Sequence, residues 1–212
     1  MNAPLSRLPR LFIISSGFEH LDSAGLSLRQ AAAIKDSGPV MFQLREKGLD
    51  AARLLSLAAR LRAELEPSGS LLLVNERADI ALAAGAEGVH LPESCCPVAT
   101  IRSAFPGLLA GQSVHSVKAA RDAGKSGVDY LLFGPVFATP SKERYGPPQG
   151  LDELEQVCEA VAVPVYAVGG ITPERSYACI ERGAWGVAAI SPFLDPGSMP
   201  STIETFRSFL PS

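Results

Sequence analysis

The chain has 212 residues, 47% hydrophobic and 19% charged, with a formal net charge of −3. That size suits one domain with a large core, and the slightly acidic balance offers no basic field for nucleic acid. No apolar run approaches the roughly 20 residues that span a bilayer, and residues 1–10 lack the apolar segment of a signal peptide, so a cytoplasmic location is expected.

Leu11-Phe12-Ile13-Ile14 is the first apolar run, ending in Ser15-Ser16-Gly17, and a helix is predicted over 26–36. The second strand is read over Pro39–Arg45. Residues 50–65 follow as an amphipathic helix, with Leu54, Leu57, Ala58 and Leu61 on one face. Pro67-Ser68-Gly69 breaks it. The third strand, Leu71–Val74, ends in Asn75-Glu76, with a short helix from Arg77 to Ala84. Gly88–Leu91 is the fourth strand, 97–104 a helix, Leu108–Ser113 the fifth strand, 116–124 a helix and Tyr130–Gly134 the sixth strand. The connection from Pro135 to Gly150 is too long for a plain turn, and such loops usually serve as lids or binding loops. A helix over 151–160 precedes the seventh strand at Val165–Val168. Then Gly169-Gly170 leads into Thr172-Pro173-Glu174, where an N-cap, a first-position proline and a first-turn acid open a helix over 173–182. The eighth strand is read over 186–190 and the last helix near 200–209.

Eight near-continuous apolar strands alternating with helices imply a parallel sheet buried on both faces. Within 212 residues this predicts a single (β/α)8 TIM barrel, with its core at about 11–210, over an open doubly wound sheet. Cys95, Cys96, Cys158 and Cys179 show no metal-ligand spacing and are read as reduced thiols. Cys158 and Cys179 are expected in the core, and a structural disulfide between the neighbours Cys95 and Cys96 would be strained.

Barrel enzymes carry their chemistry where strands end. Here the strand ends are Gln43/Arg45/Lys47, Asn75/Glu76, His90, Ser113/His115, Thr139/Ser141/Lys142, Gly169/Gly170 and Ile190/Ser191. Cations after the second and sixth strands and main-chain donors after the seventh and eighth suit a phosphorylated small molecule. Each feature has a plainer reading. Gly169-Gly170 alone is a strand-to-helix turn, Arg45-Glu46-Lys47 a solvated charge run, Lys142 a loop cation and Asn75-Glu76 a helix N-terminus rather than a metal or diphosphate site. His90, within an apolar strand, reads as a buried and hydrogen-bonded histidine. His115, just beyond the fifth strand between Ser113 and Ser116, reads as a general acid/base facing the cavity.

Several ordered segments carry a resemblance: Gln43-Leu44-Arg45-Glu46-Lys47, Asn75-Glu76-Arg77-Ala78-Asp79, Gly85 to Leu91, Ser113-Val114-His115-Ser116, Asp129 to Phe137, and Val168-Gly169-Gly170-Ile171. Together they resemble the thiamine phosphate synthase/TenI family, from about Leu11 to Phe193. The resemblance implies a (β/α)8 barrel, a phosphorylated thiazole as substrate, and a homo-oligomer as an option. Thiamine phosphate synthases join a hydroxymethylpyrimidine diphosphate to a thiazole phosphate with Mg²⁺. TenI-type proteins are aromatising thiazole tautomerases that need no metal. Carried over by resemblance, Gln43 to Lys47, Asn75, Ser113 and Lys142 hold the pyrimidine diphosphate. Thr139, Ser141, Gly169, Gly170, Ile190 and Ser191 lie near the thiazole phosphate.

Two departures bear on the branch. The synthase pattern has Asn-Asp after the third strand and a second Asp after the fourth. This chain has Asn75-Glu76, and Cys95 where the second Asp is expected, a sulfur that Mg²⁺ disfavours. The expectation is therefore a TenI-like tautomerase with His115 as proton carrier and no cofactor. The alternatives are a synthase using Glu76 and Glu93 with Mg²⁺, a non-catalytic thiazole- or thiamine-phosphate binder, and an unrelated sugar-phosphate isomerase on the same barrel.

Overall fold

In the computed structural model, which describes residues 8–17, 25–139 and 147–211, eight parallel strands close into a barrel in the order β1 to β8. The strands are β1 (Leu11–Ile14), β2 (Met41–Leu44), β3 (Leu71–Asn75), β4 (Gly88–Leu91), β5 (Leu109–Val114), β6 (Tyr130–Phe133), β7 (Val165–Val168) and β8 (Gly186–Ala189). The helices are α1 (Leu26–Ile34), α2 (Ala51–Leu65), α3 (Ala78–Ala83), α4 (Val98–Ala104), α5 (Val117–Lys125), α6 (Gly150–Ala160), α7 (Pro173–Glu181) and α8 (Met199–Ser208). The protein is a single (β/α)8 TIM barrel, and the boundaries expected from apolar periodicity differ from the observed ones by a few residues at the ends.

Local chemistry accounts for several of those ends. Asp50 caps α2 by accepting from the Arg53 N–H, Ser116 caps α5 through Ala119, and Thr172 caps α7 through Arg175. Pro173 then occupies the first turn of α7, where its missing N–H costs nothing.

Alternation along the strands sorts side chains into two cores. Outward residues such as Ile13, Phe42, Leu72, Val89, Leu131 and Val187 pack under the helices. Inward, Leu8, Phe12, Met41, Leu73, Tyr130, Tyr166 and Ala188 fill the barrel. The rings of Phe12, Tyr130 and Tyr166 meet edge to face with centroids 5.6 to 5.7 Å apart. Gly111 has no side chain because a Cβ there would land on the Tyr130 ring. This apolar plug closes the lower barrel and leaves the carboxyl ends of the strands as the place for polar groups.

A short 3-10 turn at Ser191–Phe193 follows β8. Gln30 of α1, fully buried, holds it by donating to the Phe193 carbonyl at 2.7 Å. A short extra helix after the eighth strand is a recurring part of phosphate sites in this fold. No helix among the described residues is long and apolar enough to cross a membrane.

Candidate active site

The inward phase of the strands changes from apolar to polar one step above the aromatic plug. Gln43 follows Met41 by two residues, Asn75 follows Leu73, His90 follows Gly88 and Ser113 follows Gly111. Strand register sets them side by side, with Gln43 opposite Leu73 and Asn75 opposite His90. Gln43 Nε2 donates to Asn75 Oδ1 at 2.8 Å. Gln43 is 1% exposed, and its Oε1 has no hydrogen-bond partner among the described residues. A buried carbonyl left without a donor costs on the order of 1–3 kcal/mol, which makes it a place where a ligand N–H fits.

His90 is buried and satisfied, as its apolar surroundings suggested. Its Nδ1 lies 3.0 Å from the Tyr130 hydroxyl and its Nε2 2.8 Å from Ser113 Oγ. Burial, with the Arg45 charge nearby, lowers its pKa to about 3, so the ring is neutral. Burial also pushes the Tyr130 phenol well above its ordinary value.

The charged run after β2 is not uniformly solvated. Glu46 is 3% exposed and turned inward, where one carboxylate oxygen accepts from Ser15 Oγ at 2.5 Å and from the Gly17 N–H at 3.0 Å. Ser15 Oγ in turn accepts the Arg45 N–H at 2.9 Å. The buried acid braces the ends of β1 and β2 and leaves Arg45 and Lys47 on either side. Arg45 is half-buried, while exposed Lys47 reaches Glu76 with Nζ 2.9 Å from Oε1. Glu76 has φ 64, alone among the described non-glycine residues in the left-handed region. Such a backbone costs on the order of 1–3 kcal/mol and collects at functional sites.

On the other side of the mouth, the His115 N–H donates to Glu93 at 2.8 Å, and its Nδ1 lies 2.5 Å from the Gly134 carbonyl. A carbonyl only accepts, so Nδ1 carries the proton. The remaining nitrogen, Nε2, belongs to a residue that is exposed. Cys95 is turned aside, with Gln112 Nε2 3.4 Å from its Sγ, and burial raises its thiol pKa. Among the described residues no group of three His, Cys, Asp or Glu side chains stands ready to hold a metal.

Gly169 and Gly170 have φ 97 and 64, and both lie against the connection after β6. A Cβ on Gly169 would come within 2.6 Å of Pro135, and one on Gly170 within 2.6 Å of the Ala138 carbonyl. The Val136 and Phe137 N–H groups donate to Val168 and Gly169 at 2.8 and 3.0 Å. The glycine pair is thus required first by packing of this connection. Arg175 adds a clamp, donating to the Gly170 carbonyl at 2.6 Å with its guanidinium 4.8 Å above the Phe137 ring. Thr139, half-buried, follows on this connection, and Ile190 and Ser191 start the turn after β8. Ser141 and Lys142 lie outside the described residues.

The structure therefore brings Gln43, Asn75, His90 and Ser113 into one polar layer, with Lys47 and Glu76 above them. Tyr130 and Arg175 were missed from sequence, and Glu46, read there as part of the Gln43 to Lys47 segment, was not expected to be buried. Only Tyr130 left a signal, a hydroxyl on the inward phase of a strand, which demands a partner.

The profile of the thiamine monophosphate synthase family (TMP-TENI) matches residues 12–193. The chain belongs to that family. A thiamine-phosphate synthase of Methanoculleus marisnigri is 42% identical over 195 residues, covering 92% of this chain and 89% of that protein. One from Chlorobium luteolum is 39% identical over 193 residues, covering 90% and 87%. The solved thiamine phosphate pyrophosphorylase of Pyrococcus furiosus superposes with a TM-score of 0.82 at 28% identity, covering 98% of this chain and 97% of that one.

These relatives overturn the tautomerase expectation. All three carry the synthase or pyrophosphorylase name, and the isomerase assignment falls with them. The error was to treat Cys95 as decisive. Mg²⁺ commonly binds through one or two carboxylates plus substrate phosphate oxygens and water, so loss of one protein oxygen does not remove a metal site. The expectation of no cofactor rested on the same inference and loses its ground.

Proposed function

We propose that this protein is a thiamine-phosphate synthase, which transfers the hydroxymethylpyrimidine group from its diphosphate to the nitrogen of a thiazole phosphate. The C–O bond to the diphosphate breaks, the diphosphate leaves with the electron pair, and a C–N bond forms to the neutral thiazole nitrogen. The observation that carries this reading is the orphaned Gln43 Oε1 in a polar layer directly below Lys47 and Glu76. A flat amino-substituted ring supplies the missing N–H donor, and its diphosphate then faces the cations above.

Gln43 and Asn75 orient the ring. Arg45 and Lys47 offset the growing charge on the leaving group, which is where electrostatic catalysis acts most strongly. On this reading the turns after β7 and β8, with Gly169, Gly170, Ile190 and Ser191, take the thiazole phosphate. Thr139 lies on the connection after β6 that packs beside them. The single hard carboxylate that would hold a magnesium ion, together with substrate phosphate oxygens and water, is Glu76 at the mouth, 40% exposed and paired with Lys47. When bound, such an ion supplies charge neutralisation on the departing diphosphate. Attack by a neutral ring nitrogen releases no proton, so His115 has none to carry; it joins the turn after β5 to Gly134.

Incubating the protein with the pyrimidine diphosphate, the thiazole phosphate and Mg²⁺ tests this directly. Thiamine phosphate and pyrophosphate should appear in equal amounts. If neither forms while both substrates bind, the reading is wrong.

A further inference from the structure

The geometry points to a fixed hydrogen-bond direction inside the barrel: Tyr130 donates to His90 Nδ1, His90 Nε2–H donates to Ser113 Oγ, and Ser113 is left to donate its own proton to an acceptor atom of the substrate. Tyr130 and His90 are then positioning residues, acting on the ligand only through Ser113.

The direction follows from counting donors. His90 is 2% exposed, has no carboxylate among its hydrogen-bond partners, and stacks on the Tyr130 ring at 5.7 Å between centroids. A neutral imidazole has one N–H and one lone pair, so its two contacts must run in opposite senses. In one arrangement the phenol donates to Nδ1 and the ring donates onward to Ser113. In the other, Nδ1–H donates to the phenol oxygen and Ser113 donates to Nε2. The second arrangement leaves the Tyr130 O–H without an acceptor among the described residues, at 0% exposure. Buried donors without partners are rarer in folded proteins than acceptors with a spare lone pair, and cost more. The first arrangement leaves only such a lone pair on the phenol oxygen.

The consequence falls on Ser113. It is half-buried, on the inward phase of β5 in the same layer as Gln43 and Asn75. A free serine hydroxyl rotates and can serve as donor or acceptor. Here the incoming N–H occupies one of the two oxygen lone pairs and, unlike the opposite arrangement, leaves the O–H free to donate. The acceptor it suits is a phosphoryl oxygen or an unprotonated ring nitrogen. Gln43 supplies the opposite polarity, an acceptor without a donor. Together they select a ligand with a donor facing β2 and an acceptor facing β5.

The relay stands on the barrel interior alone, whereas the role given to Ser113 rests on the synthase reading; the tests keep the two apart. The chain has three histidines, His20, His90 and His115, so ¹⁵N-labelled imidazoles can be assigned with a His90→Gln variant. Long-range ¹⁵N–¹H spectra of the wild-type protein should show the His90 proton on Nε2. A proton on Nδ1 overturns the proposal whether or not the protein is a synthase. In kinetics, His90→Leu removes the donor to Ser113 and should lower kcat/KM for the diphosphate substrate about tenfold, the value of roughly one hydrogen bond to a reactive ligand. His90→Gln keeps an N–H near the Nε2 position and should recover most of that loss. In a Ser113→Ala background, His90→Leu should cost little more. An equal loss in both backgrounds means His90 acts by packing alone, and the positioning role fails. An Nε2 proton without synthase turnover would leave the relay intact and dismiss the synthase reading.

Discussion

Glu93 and His115 are joined across the mouth of the barrel, one carboxylate oxygen of Glu93 accepting the His115 N–H at 2.8 Å. The contact ties the connection after β4 to the turn after β5 and engages one of the two carboxylate oxygens. The Glu76 carboxylate, by contrast, is paired among the described residues with exposed Lys47, Nζ 2.9 Å from Oε1. Glu93→Gln keeps a carbonyl acceptor and should lower Mg²⁺-dependent turnover by less than about threefold. Glu76→Gln should lower it by about a hundredfold or more, since metal neutralisation of a leaving group is worth several kcal/mol. Steady-state rates across a Mg²⁺ titration check this; equal losses in the two variants would make both carboxylates ligands.

On the proposed function, Gln43 exchanges stability for binding. Gln43→Met preserves volume and removes the orphaned carbonyl, a relief of about 1–3 kcal/mol, set against the lost bond to Asn75 of about 1 kcal/mol. The variant should melt no lower than the parent, while KM for the pyrimidine substrate rises about tenfold or more. Calorimetry and kinetics on one preparation separate the two effects. A lower melting temperature with unchanged KM would assign Gln43 to the core instead.

Gly170→Ala confronts both a left-handed backbone and the Ala138 carbonyl, 2.6 Å from the new Cβ. The conformational cost alone is about 1–2 kcal/mol. The connection must also move, so KM for the thiazole phosphate should rise more than KM for the pyrimidine diphosphate. Urea denaturation and paired substrate titrations test this, and an equal rise for both substrates counts against a local effect.

Burial pushes the thiols of Cys158 and Cys179 up to about 12 from an ordinary 9.0. In the unfolded chain they ionise near 9, so the folded state holds their protons longer. Their contribution to stability is therefore full below pH 9 and is lost as pH climbs from about 9 to about 12. The buried phenols of Tyr130 and Tyr166 act in the same sense at higher pH. Thermal unfolding should weaken through this window, and a Cys158→Ala/Cys179→Ala double variant should weaken less steeply. Mass spectrometry after brief alkylation at pH 8 should find exposed Cys96 modified and Cys179 untouched.

The architecture was legible in the sequence because its signals are local. A four-residue apolar run such as Leu11–Ile14, or the Thr172-Pro173-Glu174 start of α7, settles its own conformation within a turn or a strand. The polar residues Gln43, Asn75 and Ser113 were legible for a related reason: in a barrel the strand ends share one face, whatever lies between them. Tertiary structure alone decided what each polar group does. Glu46 sits in a run of charges, yet its carboxylate is buried against Ser15, 31 residues earlier. His90 is fixed by Tyr130, 40 residues later. The glycine pair answers to Pro135 and Ala138 on another connection before it answers to any ligand. A hydrogen bond is made by atoms within about 3 Å, and a chain that returns eight times to one face brings together groups whose separation in sequence carries no trace of their meeting.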